Sequence, residues 1–486
     1  MLNLKADEPA TSTPFARPRR CRLEYIELSP SPCAPLSLRG EEGLGGEGEL
    51  KMDRYIALAV FIAAYSFFVL FPKYRSWVAV SGALALMLTG VVSPALVFFG
   101  EGGKESLISW NVMGIFVGTL ILADLFIWSR VPHYVAERLV NRSRSVCWAM
   151  VKVCAFSGFL SIFAENVAVV LIVAPIAFAL AEKLKTSPVP LIIGVTISSN
   201  LQGTATLIGD PASMIFAEYA NVSFNDFFWY KGQGLGVFFA IQFGFLTSLP
   251  VLYWTFRHLN QKVELVAEEK VLSWGPTIFL ATMIGALAMA SSLQAHDLLG
   301  AICMIWGLGG LIWYELLGRN DRERFPDTPW QILKRLDWDS ALFLMGVFTL
   351  VGALVEKGWI DLFADWLKGV LGANILVSYI VIIFLSMLVS AFVDNIPYLM
   401  AMIPLVMKLA APGAGQEALL FGLLIAASLG GNITPIGASA NIVGAGQLRQ
   451  RGYILGFGEF GRIGLPFTLA ATIPAAIFLY LLWVIL

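Results

Sequence analysis

Two acidic–amide pairs stand inside long apolar stretches of this 486-residue chain: Glu165-Asn166, within Phe163-Ala-Glu-Asn-Val167, and Asp394-Asn395, within Phe392-Val-Asp-Asn-Ile396. An ionisable group at membrane depth costs at least a few kcal/mol, so each is a candidate for function. Each pair is followed by a proline, Pro175 or Pro404, and then by a polar, glycine-rich interruption. The first interruption reads Gly203-Thr204-Ala-Thr206-Leu-Ile-Gly209-Asp210-Pro211; the second reads Gly430-Gly-Asn432-Ile-Thr434-Pro-Ile-Gly437-Ala-Ser439-Ala-Asn441. Glycine lets a helix unwind, proline stops the ladder re-forming, and Thr, Ser and Asn then offer oxygens and amides to a ligand. A half-helix starting at such a break points its positive end at the membrane midplane, where it favours an anion. The carboxylates suit a proton or a sodium ion. Two plainer readings use the same residues: the acids cap returning helices, and the breaks are packing kinks between small residues.

The two constellations match each other. The acidic–Asn pair recurs at an offset of 229 residues and the Thr-x-Ile-Gly element at 228, with one single-residue shift between them. The elements that position them follow from composition. Hydrophobic residues make up 57% of the chain and charged residues 14%, with 45 Gly and 23 Pro. A soluble domain carries roughly a quarter charged residues, so this is a polytopic membrane protein. Lys+Arg 33 against Asp+Glu 34 leaves no basic excess and excludes a nucleic-acid partner. A bilayer core of about 30 Å takes about 20 apolar helical residues per crossing, which gives spans at 55–71, 77–99, 108–129, 190–217, 235–256, 276–293, 298–318, 341–356, 419–445 and 463–486.

The apolar regions 146–181 and 375–411, with the acidic pairs at their centres, read as re-entrant hairpins or as two crossings each. Taken as hairpins, they put most of the Lys and Arg on one side of the membrane, including Lys73, Arg75, Arg130, Arg335 and Arg462. Only Arg54, Lys104, Lys231, Lys357 and Lys368 fall on the other, counting from Met52. That places the C-terminus outside the cell membrane. Each half then has five crossings, so the second runs upside down relative to the first. The fold expected is all-α: ten transmembrane helices plus two re-entrant hairpins in two inverted-topology repeats, an arrangement by which secondary transporters build a midplane site. The repeats span 52–256 and 275–486, joined by a cytoplasmic linker at 257–274. Residues 1–51, rich in Pro, Gly and Glu, read as a disordered tail or as sequence ahead of a true start at Met52.

The residues quoted above resemble the signatures of the ion transporter superfamily. Within it they are most similar to the melanosomal P protein and arsenical-pump membrane subunit group, also labelled citrate-transporter-like, over nearly everything from Met52 to Leu486. The resemblance implies two inward-pointing hairpins, two unwound helices, a homodimer, and a transport domain that moves as an elevator against a fixed scaffold. It implies cation and substrate sites at Asn166, Asn395, Thr206, Gly209, Thr434 and Gly437, with sodium at Asn166, Thr206, Asn395 and Thr434. One departure stands out: divalent anion–sodium symporters have a Ser-Asn-Thr tip where this chain has Glu-Asn-Val and Asp-Asn-Ile. Carboxylates there disfavour a dicarboxylate held directly at the tip and favour proton or sodium coupling.

The expectation is an ion-coupled secondary transporter of a small inorganic or carboxylate anion or a metalloid oxyacid, arsenite first, with Glu165, Asp210 and Asp394 binding the coupling proton or sodium ion. The candidate substrate or ion ligands are Glu165, Asn166, Thr204, Thr206, Gly209, Asp210, Asp394, Asn395, Asn432, Thr434, Gly437, Ser439 and Asn441. A sodium/proton antiporter is the alternative, and an intramembrane aspartyl protease using Asp210 and Asp394 a remote third. No cofactor is expected. The chain has no phosphate-binding Gly-Lys-Ser/Thr loop, so ATP drive requires a separate ATPase subunit. Asp124 stands alone in its span and pairs with a neighbouring helix or takes part in transport. Lys152 and Lys408 pair with the tip acids or snorkel. Cys147 and Cys154, seven apart, suit a soft metalloid or simple packing.

Overall fold

The computed structural model describes residues 46–183, 185–262, 270–319, 321–371, 374–411 and 413–485. The tail expected at 1–51 lies outside the described residues up to residue 45, as does 263–269 of the expected linker. From Glu49 on, the described residues belong to one unit, which is almost wholly helical.

The first half runs α1 (Gly46–Leu70), α2 (Arg75–Leu88), α3 (Pro94–Phe98), α4 (Trp110–Trp128) and α5 (Val131–Asn141). It continues with α6 (Val146–Ser161), α7 (Asn166–Lys183), α8 (Val189–Gly203), α9 (Pro211–Tyr219) and α10 (Val237–Phe256). The second half runs α11 (Gly275–Ser292), α12 (Leu299–Gly318), α13 (Pro329–Arg335), α14 (Trp338–Glu356) and α15 (Trp359–Leu371). Its last five helices are α16 (Ile375–Ser390), α17 (Asn395–Leu409), α18 (Ala414–Gly430), α19 (Ser439–Gln450) and α20 (Phe457–Tyr480). Two two-residue strands, β1 (Trp229–Tyr230) and β2 (Gly234–Leu235), close a small antiparallel hairpin before α10.

Among the described residues, eight helices are long and apolar enough to cross a membrane, and up to nine if α15 and α16, bent by 118°, count as one span. One of the eight is α7, a hairpin arm. Three spans expected from sequence are each two helices, one of them 419–445, which breaks between α18 and α19. Residues 77–99 break after α2, where Gly90 turns at φ +74° and Ser93 caps α3, its side chain accepting from Leu96 N. Residues 190–217 break between α8 and α9.

The helix pairing repeats between halves. α2 packs on α14 and α4 on α12; α6 packs on α8 and α16 on α18; α7 packs on α19 and α9 on α17. Exchanging the halves turns each pair into its mate. The prolines recur too: Pro175 lies inside α7 and Pro404 inside α17. Helices α5 and α15, short connectors in the two halves, pack on α7 and α17 respectively. α15 exposes Leu362, Phe363, Trp366 and Val370 beside Asp361 and Asp365, the pattern of a helix lying in a membrane interface.

Charges sort to the two ends of α14. At its C-terminal end Glu356 meets Lys104, Lys357 pairs with Asp53 at 3.0 Å, and Arg54 donates to the Gly358 carbonyl at 3.0 Å. At its N-terminal end Ser76 bonds to Asp339, and Arg335 bridges Asp124 and Asp327, each at 2.6 Å. Arg54, Lys104 and Lys357, assigned to one side of the membrane from sequence, thus gather at one end of α14.

Candidate functional site

Each hairpin is made by a tight turn between two apolar helices. The first turn is Ile162–Glu165, between α6 and α7, and Glu165 Oε2 accepts the Ala168 amide at 3.0 Å. The second lies between α16 and α17, where Asp394 Oδ1 accepts the Ile396 amide at 3.2 Å. Asp210 does the same for α9, accepting the Ala212 amide at 3.2 Å. All three acids thus cap helices, where the positive helix end favours an anion. Capping does not exhaust them, because each also faces groups from other elements.

The turns are pinned to the broken helices in the same way twice. The Thr206 hydroxyl donates to the Ile162 carbonyl at 2.5 Å, and the Thr434 hydroxyl donates to the Ala391 carbonyl. Gly209 and Gly437 make these approaches sterically feasible. A Cβ on Gly209 would lie 2.4 Å from the Ser161 carbonyl oxygen and 2.5 Å from that of Gly203. A Cβ on Gly437 would lie 2.6 Å from the Gly431 oxygen and 2.9 Å from that of Ala391. The repeated Thr-x-Ile-Gly spacing is therefore a packing device, with one hydroxyl and one bare backbone holding each hairpin tip.

Between the pinned tips lies a cavity of about 20 Å³, lined by residues that include Glu165, Asn166, Asn200, Asp210, Ser340, Asn395 and Ser439. The amides of Asn166 and Asn395, one from each hairpin, face the Asp210 carboxylate. Asn200 extends the polar wall, its Nδ2 donating to Asn432 Oδ1 at 2.8 Å and to Asn441 Oδ1 at 3.0 Å. Asn441 Nδ2 in turn holds the Gly431 and Thr434 carbonyls at 2.9 and 3.0 Å. Helices α4 and α14 contribute Phe116 and Leu344. Four broken elements from two halves therefore meet at one point.

Of the residues singled out from sequence, Glu165, Asn166, Asp210, Asn395 and Ser439 line this cavity, and Asn432 and Asn441 brace its wall. Thr206, Gly209, Thr434 and Gly437 fix the tips. Thr204 turns to backbone, donating to the Asn200 carbonyl at 3.1 Å. Asp394 sits at the edge, where Arg75 Nη1 donates to its Oδ2 at 2.6 Å; the same nitrogen reaches Ser439 Oγ at 2.7 Å, and Nη2 reaches Ser340 Oγ at 3.0 Å.

Arg75 and Asn200 were not singled out from sequence. The repeat hides both, since the positions 229 and 228 residues on are Met304 and Ser428. Asp124 pairs with a neighbouring helix: Arg335 clasps it through Nε at 2.8 Å and Nη2 at 2.6 Å, on the wall of a wider cleft of about 790 Å³. Lys152 donates to the Arg142 carbonyl at 3.4 Å and Lys408 bonds to Asp361, so the tip-acid partner is Arg75 instead. Cys147 and Cys154 are packed, the first against the Tyr253 carbonyl at 3.8 Å and the second close to Gly194.

Similarity to known proteins bears on the family and the fold. The sequence profile of the citrate transporter family, CitMHS, matches residues 65–423. An uncharacterized transporter of Mycobacterium bovis is 30% identical over 443 residues, covering 89% of this chain and 99% of that one. The P protein of Homo sapiens is 26% identical over 504 residues, covering 86% of this chain and 59% of that one. Among solved structures, the Alcanivorax borkumensis YdaH transporter aligns with a TM-score of 0.52 at 14% identity, covering 88% of this chain and 97% of that one. Neisseria gonorrhoeae MtrF, described as one of a class of antimetabolite efflux pumps, aligns at 0.51 and 13% identity, covering 90% and 95%. These two show the fold, while the profile and the mycobacterial relative show the family. The chain is a multi-pass membrane protein and a secondary transporter belonging to the citrate transporter family.

Proposed function

We propose that the protein couples a cation, a proton or a sodium ion, to the movement of a small carboxylate anion, with a di- or tricarboxylate such as citrate first. The observation that carries this reading is the convergence of Glu165 and Asp210 with the amides of Asn166, Asn200 and Asn395 around one small cavity, with Asp394 at its edge. Ionised, three carboxylates outweigh the single charge of Arg75, and surplus charge in a low-dielectric site is costly unless paired. A bound cation removes the surplus. The cavity, about 20 Å³, exceeds the roughly 10–15 Å³ that one water needs. It has room for one dehydrated cation and none for citrate, with Asn166 and Asn395 as the proposed sodium ligands; Thr206 and Thr434, expected beside them, give their hydroxyls to the hairpin-tip carbonyls and do not line it.

The mutual packing of the hairpins and broken helices, beside scaffold helices α2, α4, α12 and α14 that pair among themselves, supports an elevator built on two inverted repeats. A homodimer in the cell membrane with its C-terminus outside completes the proposal. Arsenite ranks behind a carboxylate because the paired thiols of α6 do not line the cavity. An aspartyl protease needs two carboxylates that share one proton, whereas Asp394 is engaged by Arg75. Sodium/proton antiport is the second reading, favoured by a cavity with room for a cation alone. It predicts dye-reported proton exit on adding sodium without any anion.

The primary test is uptake of radiolabelled citrate by the full chain in proteoliposomes. An imposed inward proton or sodium gradient drives accumulation above equilibrium, and both Asp210→Asn and Asp394→Asn lose it. Equilibration that ignores the gradient, or full accumulation by Asp394→Asn, overturns the reading.

A further inference from the structure

We propose that Arg75 is the residue that binds the substrate carboxylate, and that its ion pair with Asp394 is the exchange element through which anion and cation binding are coupled. This deepens the transport reading above and rests on it.

Arg75 is the first residue of α2, and its guanidinium reaches partners on three other elements: Ser340 on α14, Asp394 at the second hairpin tip and Ser439 at the start of α19. The Arg75 and Asp394 side chains retain only 13% and 14% exposure. Ser340 and Ser439 also line the cavity, so the guanidinium stands at its wall. The Phe343 ring covers one face of it, with the centroid 4.9 Å away. A planar fork of donors beside two hydroxyls, with an aromatic ring against one face, is suited to a carboxylate. In this arrangement the carboxylate in that place is the protein's own. Asp394 takes only Nη1, through one oxygen, while Nη2 goes to Ser340, so the fork is not satisfied in its bidentate geometry.

A permanent clamp would gain from a bidentate pair between two elements of one rigid body. Here Arg75 belongs to the α2–α14 pair, and Asp394 and Ser439 belong to the hairpins and broken helices. The bond therefore crosses the boundary that an elevator must shear. When a cation neutralises Asp394, Nη1 loses its ionic partner, and the guanidinium, left with the Asp339 carboxylate 4.0 Å from Nε, can take a carboxylate from outside the protein. When an anion takes Arg75, the Asp394 carboxylate is left to attract a cation. Each ligand thus makes room for the other, and linkage requires the two effects to be equal.

The test is titration calorimetry on the purified full chain, with sodium chloride, citrate, succinate and inorganic phosphate as probes, each alone and in the presence of the other charge. In the wild type, saturating citrate tightens sodium binding by about tenfold or more, and sodium tightens citrate equally. Arg75→Gln loses citrate binding, keeps or tightens sodium binding, and abolishes the coupling. Arg75→Lys retains weakened citrate binding, and Asp394→Asn binds citrate with an affinity that sodium no longer changes. Citrate binding by Arg75→Gln at wild-type affinity overturns the inference. So does parallel loss of both ligands in an Arg75→Gln protein that melts at the wild-type temperature, and so does a wild type that binds sodium but none of the three anions. Failure of gradient-driven uptake by wild-type proteoliposomes sinks the transport reading instead, so the two failures are separable.

Discussion

At the scale of single residues, the acids and the glycines do different jobs. Glu165, Asp210 and Asp394 each cap a helix and also face groups from other elements. Gly437 carries no chemistry; it lets two stretches of backbone touch. Gly437→Ala drives a methyl group to within 2.6 Å of the Gly431 oxygen, and overpacking of this kind costs about 1–3 kcal/mol. We expect a lower melting temperature in detergent and loss of citrate uptake. Gly446→Ala is the control: it lies inside α19 with nothing within 4 Å of the new atom. Alanine there is worth about 0.5–1 kcal/mol in the helix's favour, so melting holds or rises and uptake persists. A Gly437→Ala protein that melts and transports like the wild type contradicts the assigned packing role.

At the scale of elements, what could be read from sequence was what the chain states twice. The acidic–Asn pairs, the prolines of α7 and α17 and the Thr-x-Ile-Gly breaks all recur, and repetition separates them from an apolar background. Arg75 occurs once, in a cluster with Lys73 that reads as ordinary basic flanking of a span. Nothing local says that it reaches an acid 319 positions away. The split of 77–99 into α2 and α3 was legible in Gly90 and Ser93-Pro94, but the apolar run around them outweighs those signals. Helices α5 and α15 are too short to announce themselves by length. Arg335 on α13 and Asp124 on α4 form a tie of another kind, bidentate and only partly exposed, with side chains 43% and 17% accessible. Such a tie falls between an exposed pair and a buried one, so Asp124→Asn costs about 1–3 kcal/mol of stability. The expected phenotype is a lower melting temperature with an unchanged ratio of cation to citrate transported. A changed ratio in Asp124→Asn would make Asp124 part of the coupling machinery.

At the scale of the whole molecule, both halves of the chain contribute to the site, so that neither completes it alone. Asn166 and Asp210 come from the first half and Asn395 and Ser439 from the second, and the cavity exists only where they meet. Arg75 ties that block to the helices around it. The central claim is that an anion crosses only in company with a cation bound at this junction. The measurement that tests it most directly is the balance point of citrate flux in proteoliposomes, found by setting a citrate gradient against an opposing proton or sodium gradient. A coupled transporter predicts that zero flux shifts with the size of the cation gradient, and that Asp210→Asn removes the shift. Zero flux at equal citrate activities whatever the cation gradient would contradict the account.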